Sequence, residues 1–329
     1  MSSSSPVRFS DGPLASLLPI CLHPIFRERV WGRENLLPFF PNVSSKATKD
    51  AIGEVWFTYE ENLTSAGISL GKLLTNHPAI LGSAAEPNHP GACPLLVKLI
   101  FTSERLSVQV HPDDRYAEIH HGSLGKTEAW YVVEAEPGAE VAAGFNQPLT
   151  PERLRESALS GEIEHLLAWH KVHPGDVVFV PAGTVHAIGA GLTICEVQEN
   201  SDITYRLYDY GRPRELHLEH GMAVSRAETY SLESHSHPIA AGREELTACH
   251  YFRLERLRPK RTVTVDGNLP YYLVLICLAG QGSIGDSAFA PGQAWFVPAH
   301  GSAFSIEGAG SEWILTYTSE EPLQSLTVN

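Results

Sequence analysis

Short runs of apolar and polar residues that follow a period of two recur along the chain and predict a β-rich fold. The run LSVQVHPDD at Leu106–Asp114 is the clearest, because apolar and polar residues alternate strictly up to His111. The run PLLVKLIF at Pro94–Phe101 predicts an almost wholly apolar strand with Lys98 inside it. Pro24–Leu37 is expected to be an irregular entry segment. Further strands are predicted at Ile52–Tyr59, Glu128–Glu134, Leu192–Tyr210, Ala248–Arg258, Tyr271–Gly280 and Gln293–Val297.

A few helices are expected between these strands. Leu70–Gly82 ends at a glycine, and Pro112–His121 follows the alternating run directly. The clearest helix is predicted over Thr150–Trp169, where the threonine is the N-cap, the next residue is proline, and Gly161 interrupts the helix. The expected fold class is therefore mainly β, a sandwich or barrel with a few inserted helices.

Two segments of the chain repeat each other. PGDVVFVP at Pro174–Pro181 matches PGQAWFVP at Pro291–Pro298 in the spacing of glycine and proline. A shared turn could explain so short a match, but the flanking apolar strands favour duplication of a β-barrel. His186 follows the first copy, and Ala303 occupies the corresponding place after the second copy. A histidine ligand is thus expected in the first barrel only.

The chain has 329 residues, enough for two domains or one large β-rich unit. Residues 1–12 are serine-rich and are expected to form a mobile tail. Residues 13–225 are predicted to form the first barrel with its helical insertions. Residues 226–247 lack clear periodicity and are predicted to be a linker, and residues 248–329 are predicted to form the second barrel.

Composition limits the possible partners. The chain carries 24 Lys and Arg against 38 Asp and Glu, a net charge of −14, and the cationic residues are scattered. This distribution argues against a nucleic-acid surface, and an anionic substrate would require a local cationic pocket. No apolar run approaches the roughly 20 residues that span a bilayer, so no membrane partner is expected.

The cysteines and the N-terminal region indicate a cytoplasmic protein. The five cysteines include no CxxC pair, which favours reduced thiols over disulfides. Leu14–Leu22 is the only N-terminal stretch that is similar to a signal-peptide core. Pro19 interrupts it, Asp11 precedes it, and no small-residue cleavage site follows, so export is not expected.

Four residues in the first barrel are candidate metal ligands. Gln109 and His111 point to the same face of their strand, about 7 Å apart at about 3.3 Å per residue. Pro112 ends the strand there. Glu128 and His186 follow further along the chain. Two imidazoles and a carboxylate suit a divalent transition metal, and an amide oxygen could complete a tetrahedron around zinc.

Each of these residues also has an ordinary structural interpretation. His111 alone could be a surface histidine, Glu128 a solvated strand residue, and His186 a turn residue hydrogen-bonded to backbone. Lys98 could either extend to the surface or line a pocket, because a lysine inside an apolar strand needs a partner or a polar cavity. However, PGDVVFVPAGTVHAIG uses two prolines and three glycines to fix the approach to His186.

That segment resembles the second cupin motif, and QVH with the downstream glutamate resembles the first. Gln109 stands where many cupins have histidine. Because this lowers the number of imidazoles, a Lewis-acid role for zinc is favoured over an iron dioxygenase. In order along the chain, PLLVKLI, LSVQVHPDD, LGKTEAWYVV, GDVVFVPAGTVHAIGAG and QENSDITYRLYD resemble type I mannose-6-phosphate isomerase, or phosphomannose isomerase, of the short bacterial form.

The resemblance covers roughly Pro24–Val224, and the C-terminal barrel matches only loosely. It implies two cupin-type (jelly-roll) barrels, the first catalytic and metal-binding and the second without metal. It also implies one Zn²⁺ per chain, held by Gln109, His111, Glu128 and His186. Glu199 stands where a second glutamine is common, and Leu207–Tyr210 differs from the longer eukaryotic members.

The implied activity is the interconversion of mannose 6-phosphate and fructose 6-phosphate through an enediol. The resemblance implies that Ser107, Lys126, Glu196 and Arg206 line the sugar-phosphate pocket. Lys98, from the argument on its apolar strand, is a further candidate for binding the substrate. Of these, Glu196 is the acid/base candidate. The cation of Arg206 suits either the phosphate or the enediolate, and Lys126 near the zinc suits an anionic substrate.

Two other functions stay open at this point. An Fe(II) dioxygenase would use two histidines and one carboxylate, which this chain has if Gln109 is ignored. A non-catalytic sugar-binding module would keep the pocket without turnover. The expected protein is a cytoplasmic monomer or homodimer that acts on a small sugar phosphate.

Overall fold

A computed structural model of the protein describes residues 17–43, 51–84, 91–232 and 236–328. The tail predicted at residues 1–12 lies outside the described residues. In the described part of the chain there are 23 strands and five α-helices, which confirms the prediction of a mainly β fold. None of the described helices has the length and apolar character needed to cross a bilayer.

The first half of the chain contains twelve strands and all five α-helices. The strands are β1 (Ile20–Leu22), β2 (Ile25–Arg33), β3 (Ile52–Trp56), β4 (Leu95–Phe101), β5 (Val108–Val110), β6 (Glu128–Ala135), β7 (Glu140–Phe145), β8 (Leu167–Lys171), β9 (Val177–Val180), β10 (His186–Ile188), β11 (Leu192–Glu199) and β12 (Tyr205–Tyr208). The helices are α1 (Leu70–Asn76), α2 (Asp114–His121), α3 (Pro151–Ser160), α4 (Ile163–Leu166) and α5 (Leu218–Val224), with a 3-10 helix at Pro78–Leu81.

The second half contains the remaining eleven strands. These are β13 (His237–Ala240), β14 (Arg243–Ala248), β15 (Arg253–Leu257), β16 (Thr262–Val265), β17 (Leu273–Ala279), β18 (Gly282–Ile284), β19 (Ser287–Phe289), β20 (Ala294–Val297), β21 (Phe304–Glu307), β22 (Glu312–Tyr317) and β23 (Leu326–Val328).

The two halves share one strand order. In the first half the sheets run β2-β3-β4-β11-β6-β9 and β12-β5-β10-β7-β8. In the second half they run β13-β14-β15-β22-β17-β20 and β23-β16-β21-β18-β19, with β1 added beside β20. Each strand from β2 to β12 therefore has an equivalent eleven strands later. The duplicated segments are β9 and β20, at equivalent positions, and no described sheet closes on itself into a hydrogen-bonded barrel.

Several local predictions differ from the structure. The helix predicted over Thr150–Trp169 ends as α3 at Ser160, because Gly161 adopts a left-handed conformation with φ 83°. The short α4 and strand β8 occupy the rest of that range. The strand predicted at Leu192–Tyr210 is two strands, β11 and β12.

The range 226–247, predicted as a linker, contains β13 and most of β14. Both strands are hydrogen-bonded into the seven-stranded sheet beside β15. Strands of four and six residues carry too little alternation to be recognised from sequence. Regular structure of the second half thus begins at His237, inside that range.

The interior of the second half is apolar where the first half carries its candidate ligands. Strand β21, the equivalent of β10, buries Phe304 and Ile306. Within the described residues, the one group of His, Cys, Asp and Glu side chains close enough to share a metal lies in the first half. The second half does contain a buried ion pair, in which Arg243 Nε and Nη2 donate to the two Glu255 oxygens at 2.7 and 2.9 Å.

Replacing Arg243 by methionine should lower the free energy of unfolding by roughly 3–5 kcal/mol, because Glu255 would stay buried without its counter-ion. Equilibrium denaturant unfolding measures the effect. The matched control is Arg258→Met, which removes a half-exposed pair with Glu312 and should lower stability by less than about 1 kcal/mol. Equal effects of the two substitutions would contradict the prediction.

Candidate metal centre and substrate pocket

Three strands of the first half bring the candidate ligands together. Gln109 lies on β5 directly opposite His186 at the start of β10. Glu128 is the first residue of β6, and His111 follows β5 immediately. Potential ligand atoms of His111, Glu128 and His186 all lie within 4.8 Å of one another, and all three residues are buried.

Backbone carbonyl groups fix both imidazole rings. His111 Nδ1 lies 2.9 Å from the carbonyl oxygen of Ile203, and His186 Nδ1 lies 2.9 Å from that of Thr184. A carbonyl oxygen can only accept, so each Nδ1 carries the proton and each Nε2 keeps its lone pair. Each Nε2 is 3.4 Å from a different oxygen of Glu128.

Both rings are neutral. Burial, assisted by the ammonium of Lys126, lowers the pKa of His186 to about 4 and holds the pKa of His111 well below its usual value. A neutral imidazole whose Nδ1 is held by a carbonyl group is the form that binds metal through Nε2.

The carboxylate of Glu128 is incompletely satisfied. Its Oε2 is buried and makes no hydrogen bond of acceptable geometry, while Oε1 accepts from Trp130 Nε1 at 3.1 Å. Oε2 also has an ion-pair contact with Lys126 Nζ at 3.1 Å. A buried carboxylate group that lies between two imidazole lone pairs suits a cation. Two neutral nitrogens and one carboxylate therefore form a group that can hold a divalent transition metal.

Gln109 is placed beside this triad. Its Nε2 lies 3.2 Å from His186 Nε2, and its Oε1 accepts from Ser107 Oγ at 3.1 Å. The amide nitrogen, not the oxygen, thus faces the histidines. A half-turn about the last side-chain bond exchanges the two atoms and would present the oxygen.

A cavity of about 440 Å³ opens beside the triad, and Gln109 and Lys126 line it. All of the predicted pocket residues line this cavity: Ser107, Lys98, Lys126, Glu196 and Arg206. Sequence analysis missed several other lining residues, among them Arg29, Trp31, Glu54, Asp202, Thr204 and Arg214.

Lys98 is paired inside the cavity and does not extend to the surface. It lies opposite Glu196 in the β4–β11 ladder, and its Nζ is 3.2 Å from Glu196 Oε2 and 2.7 Å from Gln198 Oε1. Trp130 Nε1 donates to Glu196 Oε1 at 3.2 Å as well as to Glu128. Burial raises the pKa of Glu196, and the ammonium of Lys98 partly opposes this. The Glu196 carboxyl group is therefore suited to hold or release a proton.

Lys126 lies against the triad. Its Nζ is 3.1 Å from Glu128 Oε2 and 3.1 Å from His111 Nε2. Burial disfavours the charged form of Lys126, but the attraction of the Glu128 and Glu196 carboxylates is larger than this penalty and raises the pKa of Lys126. The charge of this lysine is thus offset by protein carboxylates without a substrate phosphate.

Two arginines form a cationic end of the cavity. Arg206 on β12 donates through Nη1 to the Glu215 carbonyl at 2.7 Å, while its buried Nε has no partner. Arg214 is held by two hydrogen bonds to Asp209 at 2.6 and 2.7 Å. Burial and the neighbouring charge of Arg214 lower the pKa of Arg206. An anion bound here would offset both the burial of the Arg206 charge and its repulsion by Arg214.

Sequence analysis missed Arg29 because its segment was expected to be irregular. The segment forms β2, and the Arg29 guanidinium donates to both oxygens of Glu54 at 3.1 and 2.9 Å. The β-branched and aromatic residues of IFRERVW were the available signal for this strand. Arg214 follows β12 in a segment without periodicity. The available signal for this residue in the sequence was the pair of arginines beyond the RLYD motif.

Comparisons with known proteins agree with this geometry. The family description "Phosphomannose isomerase type I, catalytic domain" matches residues 20–144. Mannose-6-phosphate isomerase ManA of Bacillus subtilis is 35% identical over 313 residues, with 88% of this chain and 96% of the relative covered. Mannose-6-phosphate isomerase of Streptococcus mutans is 34% identical over 283 residues, with 81% and 86% covered.

A solved structure, that of mannose 6-phosphate isomerase from Bacillus subtilis, superimposes with a TM-score of 0.80 at 28% identity. It covers 92% of this chain and 100% of its own. Sequence and fold agree over nearly the whole length of both proteins. The chain belongs to the type I phosphomannose isomerase family.

Proposed function

We propose that this protein is a zinc-dependent aldose–ketose isomerase that interconverts D-mannose 6-phosphate and D-fructose 6-phosphate through an enediol. The observation that carries the proposal is the buried His111–Glu128–His186 triad, with both Nε2 lone pairs facing one carboxylate. It adjoins a cavity that has an acid/base candidate near the triad and two arginines as a cationic end. Family membership supports the same activity.

His111, Glu128 and His186 would hold the zinc, with Gln109 as a fourth ligand after rotation of its amide. This donor set of nitrogen and oxygen atoms fits zinc with room for substrate. When bound, the metal supplies a Lewis acid that stabilises negative charge developing on the substrate oxygens.

Glu196 is proposed to move the proton between C2 of the aldose and C1 of the ketose. A carboxyl group with a raised pKa can take the C2 proton as a base and return it to C1 as an acid. Lys98 holds Glu196 in place through its ion pair. Lys126, which is compensated by Glu128, is proposed to donate to a substrate oxygen during the same step.

Arg206 is proposed to bind the substrate phosphate together with Arg214. Arg206 has a buried Nε without a partner, and a phosphate oxygen would satisfy it. Ser107 and Lys98 complete the substrate-binding residues that we propose. This arrangement would place the phosphate at the arginines and the reacting carbons near Glu196.

The remaining assignments are proposals as well. Residues 13–225 would carry the catalysis, and the second half would hold no metal. A cytoplasmic location, and a monomer or homodimer, are proposed from the sequence.

The test is a coupled assay that follows fructose 6-phosphate produced from mannose 6-phosphate, before and after chelation. We expect chelation to abolish turnover and Zn²⁺ to restore it, with Mg²⁺ as the control addition. Turnover that persists in metal-depleted protein would contradict the zinc proposal. No turnover under any condition would contradict the isomerase.

The triad alone also matches the two-histidine, one-carboxylate set of Fe(II) oxygenases. If Zn²⁺ fails to restore turnover, uptake of oxygen with Fe(II) distinguishes that alternative. Binding of mannose 6-phosphate without turnover would instead indicate a sugar-binding module.

A further inference from the structure

A pair of carboxyl groups lies behind the substrate cavity, where the two halves of the chain meet. Glu199, at the end of β11, is buried, and its carboxyl group lies near that of Asp114 at the start of α2, since both line one small cavity. Two neighbouring carboxyl groups avoid mutual repulsion when one of them carries a proton. Neither residue lines the substrate cavity.

This pair holds the backbone on both sides of Lys126. Asp114 Oδ1 accepts from the N–H of Gly125 at 2.8 Å, and Glu199 Oε2 accepts from the N–H of Thr127 at 2.7 Å. The N–H of Lys126 itself donates to the Pro112 carbonyl at 2.9 Å. Three consecutive backbone groups are thereby fixed just before Glu128.

The second half of the chain contributes to the pair. Tyr251, in the loop between β14 and β15, donates its hydroxyl to Asp114 Oδ2 at 2.9 Å. His250 and Cys249 in the same loop are the other titratable groups that face the two carboxyls. A separate cavity of about 290 Å³, lined by Glu199, Asp114, His250 and Tyr251, adjoins them.

We propose that Glu199 and Asp114 share one proton and act together as a positioning pair for Lys126, coupled to the second half of the chain through Tyr251. As far as activity is concerned, this rests on the proposed isomerase function. Loss of the shared proton would leave two carboxylates in contact and would loosen the segment that carries Lys126.

The electrostatics agree with this arrangement. Burial and the neighbouring Asp114 raise the pKa of Glu199 to about 9. Burial also disfavours the charge of Asp114, but hydrogen bonds from Glu199, the Gly125 N–H and Tyr251 outweigh it and lower the pKa of Asp114. The proton therefore resides on Glu199 at neutral pH and is lost in alkaline solution.

The first test compares the pH dependence of kcat/KM for wild type, Glu199→Gln and Glu199→Leu. Wild type should lose activity as the pH rises through about 9. Glutamine keeps a donor for Asp114 and an acceptor for Thr127 but cannot ionise, so activity at pH 7 should stay within about twofold and the alkaline fall should disappear. Leucine removes both contacts and should lower kcat/KM at pH 7 on the order of 10- to 100-fold.

Glu312→Gln is the matched control. Glu312 accepts from the hydroxyl of Tyr131 across the two halves but has no carboxyl partner, so its substitution should leave the alkaline limb in place. An alkaline limb in Glu199→Gln equal to that of wild type would overturn the proposal. Wild-type activity of Glu199→Leu at every pH would do the same.

Two measurements do not depend on turnover. A raised folded-state pKa contributes stability that is complete below the unfolded value and is lost as the pH rises through the folded value. The unfolding free energy of wild type should therefore fall relative to Glu199→Gln between pH 4.5 and about 9. Hydrogen exchange at residues 125–127 should quicken in Glu199→Leu and not in Glu199→Gln.

If the pH-dependent loss of stability and the faster hydrogen exchange both appear in a protein without isomerase activity, the positioning pair is supported and the proposed function is contradicted. If the isomerase is active but neither of these two results appears, only the proposal about the positioning pair is contradicted.

Discussion

His186→Ala should lose its bound metal and its isomerase activity together. The substitution removes the imidazole from one side of Glu128, and with it the Nε2 lone pair that would hold the metal. Because a Lewis acid contributes several kcal/mol at the transition state, turnover should fall by about 10³-fold or more. Metal content by mass spectrometry and the coupled assay, made on the same preparation, measure both effects.

His121→Ala is the matched control for this experiment. His121 lies on α2 with an exposed ring that is hydrogen-bonded to the Tyr205 hydroxyl, outside the triad, so metal and activity should be retained. Circular dichroism and thermal unfolding establish that each variant is folded. Glu128→Gln keeps the size of the side chain, removes its charge, and should also lose metal. A His186→Ala protein with full metal content and full activity would contradict the ligand assignment.

Arg206→Ala should keep the metal and lose turnover of the phosphorylated substrate. The guanidinium lies on the cationic end of the cavity, and the hydrogen bonds that it would donate to a doubly charged phosphate are charge-assisted. We expect kcat/KM for mannose 6-phosphate to fall by about 10²-fold, since charged hydrogen bonds contribute about 1.5–3 kcal/mol each. Metal analysis of the same variant separates this effect from loss of the zinc.

The substrate can be varied to locate the effect. If Arg206 binds the phosphate, any turnover of unphosphorylated mannose should be unchanged by the substitution, whereas a role at the enediolate would lower the rates with both sugars. Arg155→Ala is the control, because it removes an exposed ion pair with Glu219. Wild-type kinetics of Arg206→Ala with both sugars would contradict a role for this residue in the pocket.

Local order of residues was sufficient to predict several of the strands and the candidate metal ligands. Period two in LSVQVHPDD places Gln109 and His111 on one face wherever the strand lies. The glycines and prolines around His186 restrict the backbone through local sterics alone. Duplication of PGDVVFVP was also detectable, because it is a property of the sequence itself.

Features that join distant segments depended on the fold. The Nδ1 tautomer of His111 depends on the carbonyl of Ile203, 92 residues away. The pairing of Arg29 with Glu54 depends on the β2–β3 ladder, and the site of Arg214 depends on the turn after β12. No periodic pattern records such contacts, since they arise only when strands pack.

The same limit explains the fold predictions that the structure altered. Strands β13 and β14 form because they pair into the sheet beside β15. Their short segments carry no clear periodicity, so the sequence predicted a linker there. The raised pKa of Glu199 likewise depends on burial and on the proximity of Asp114, 85 positions away along the chain. Short-range patterns determine which residues can form strands and bind a metal, whereas burial and the charges of distant neighbours determine their protonation and position.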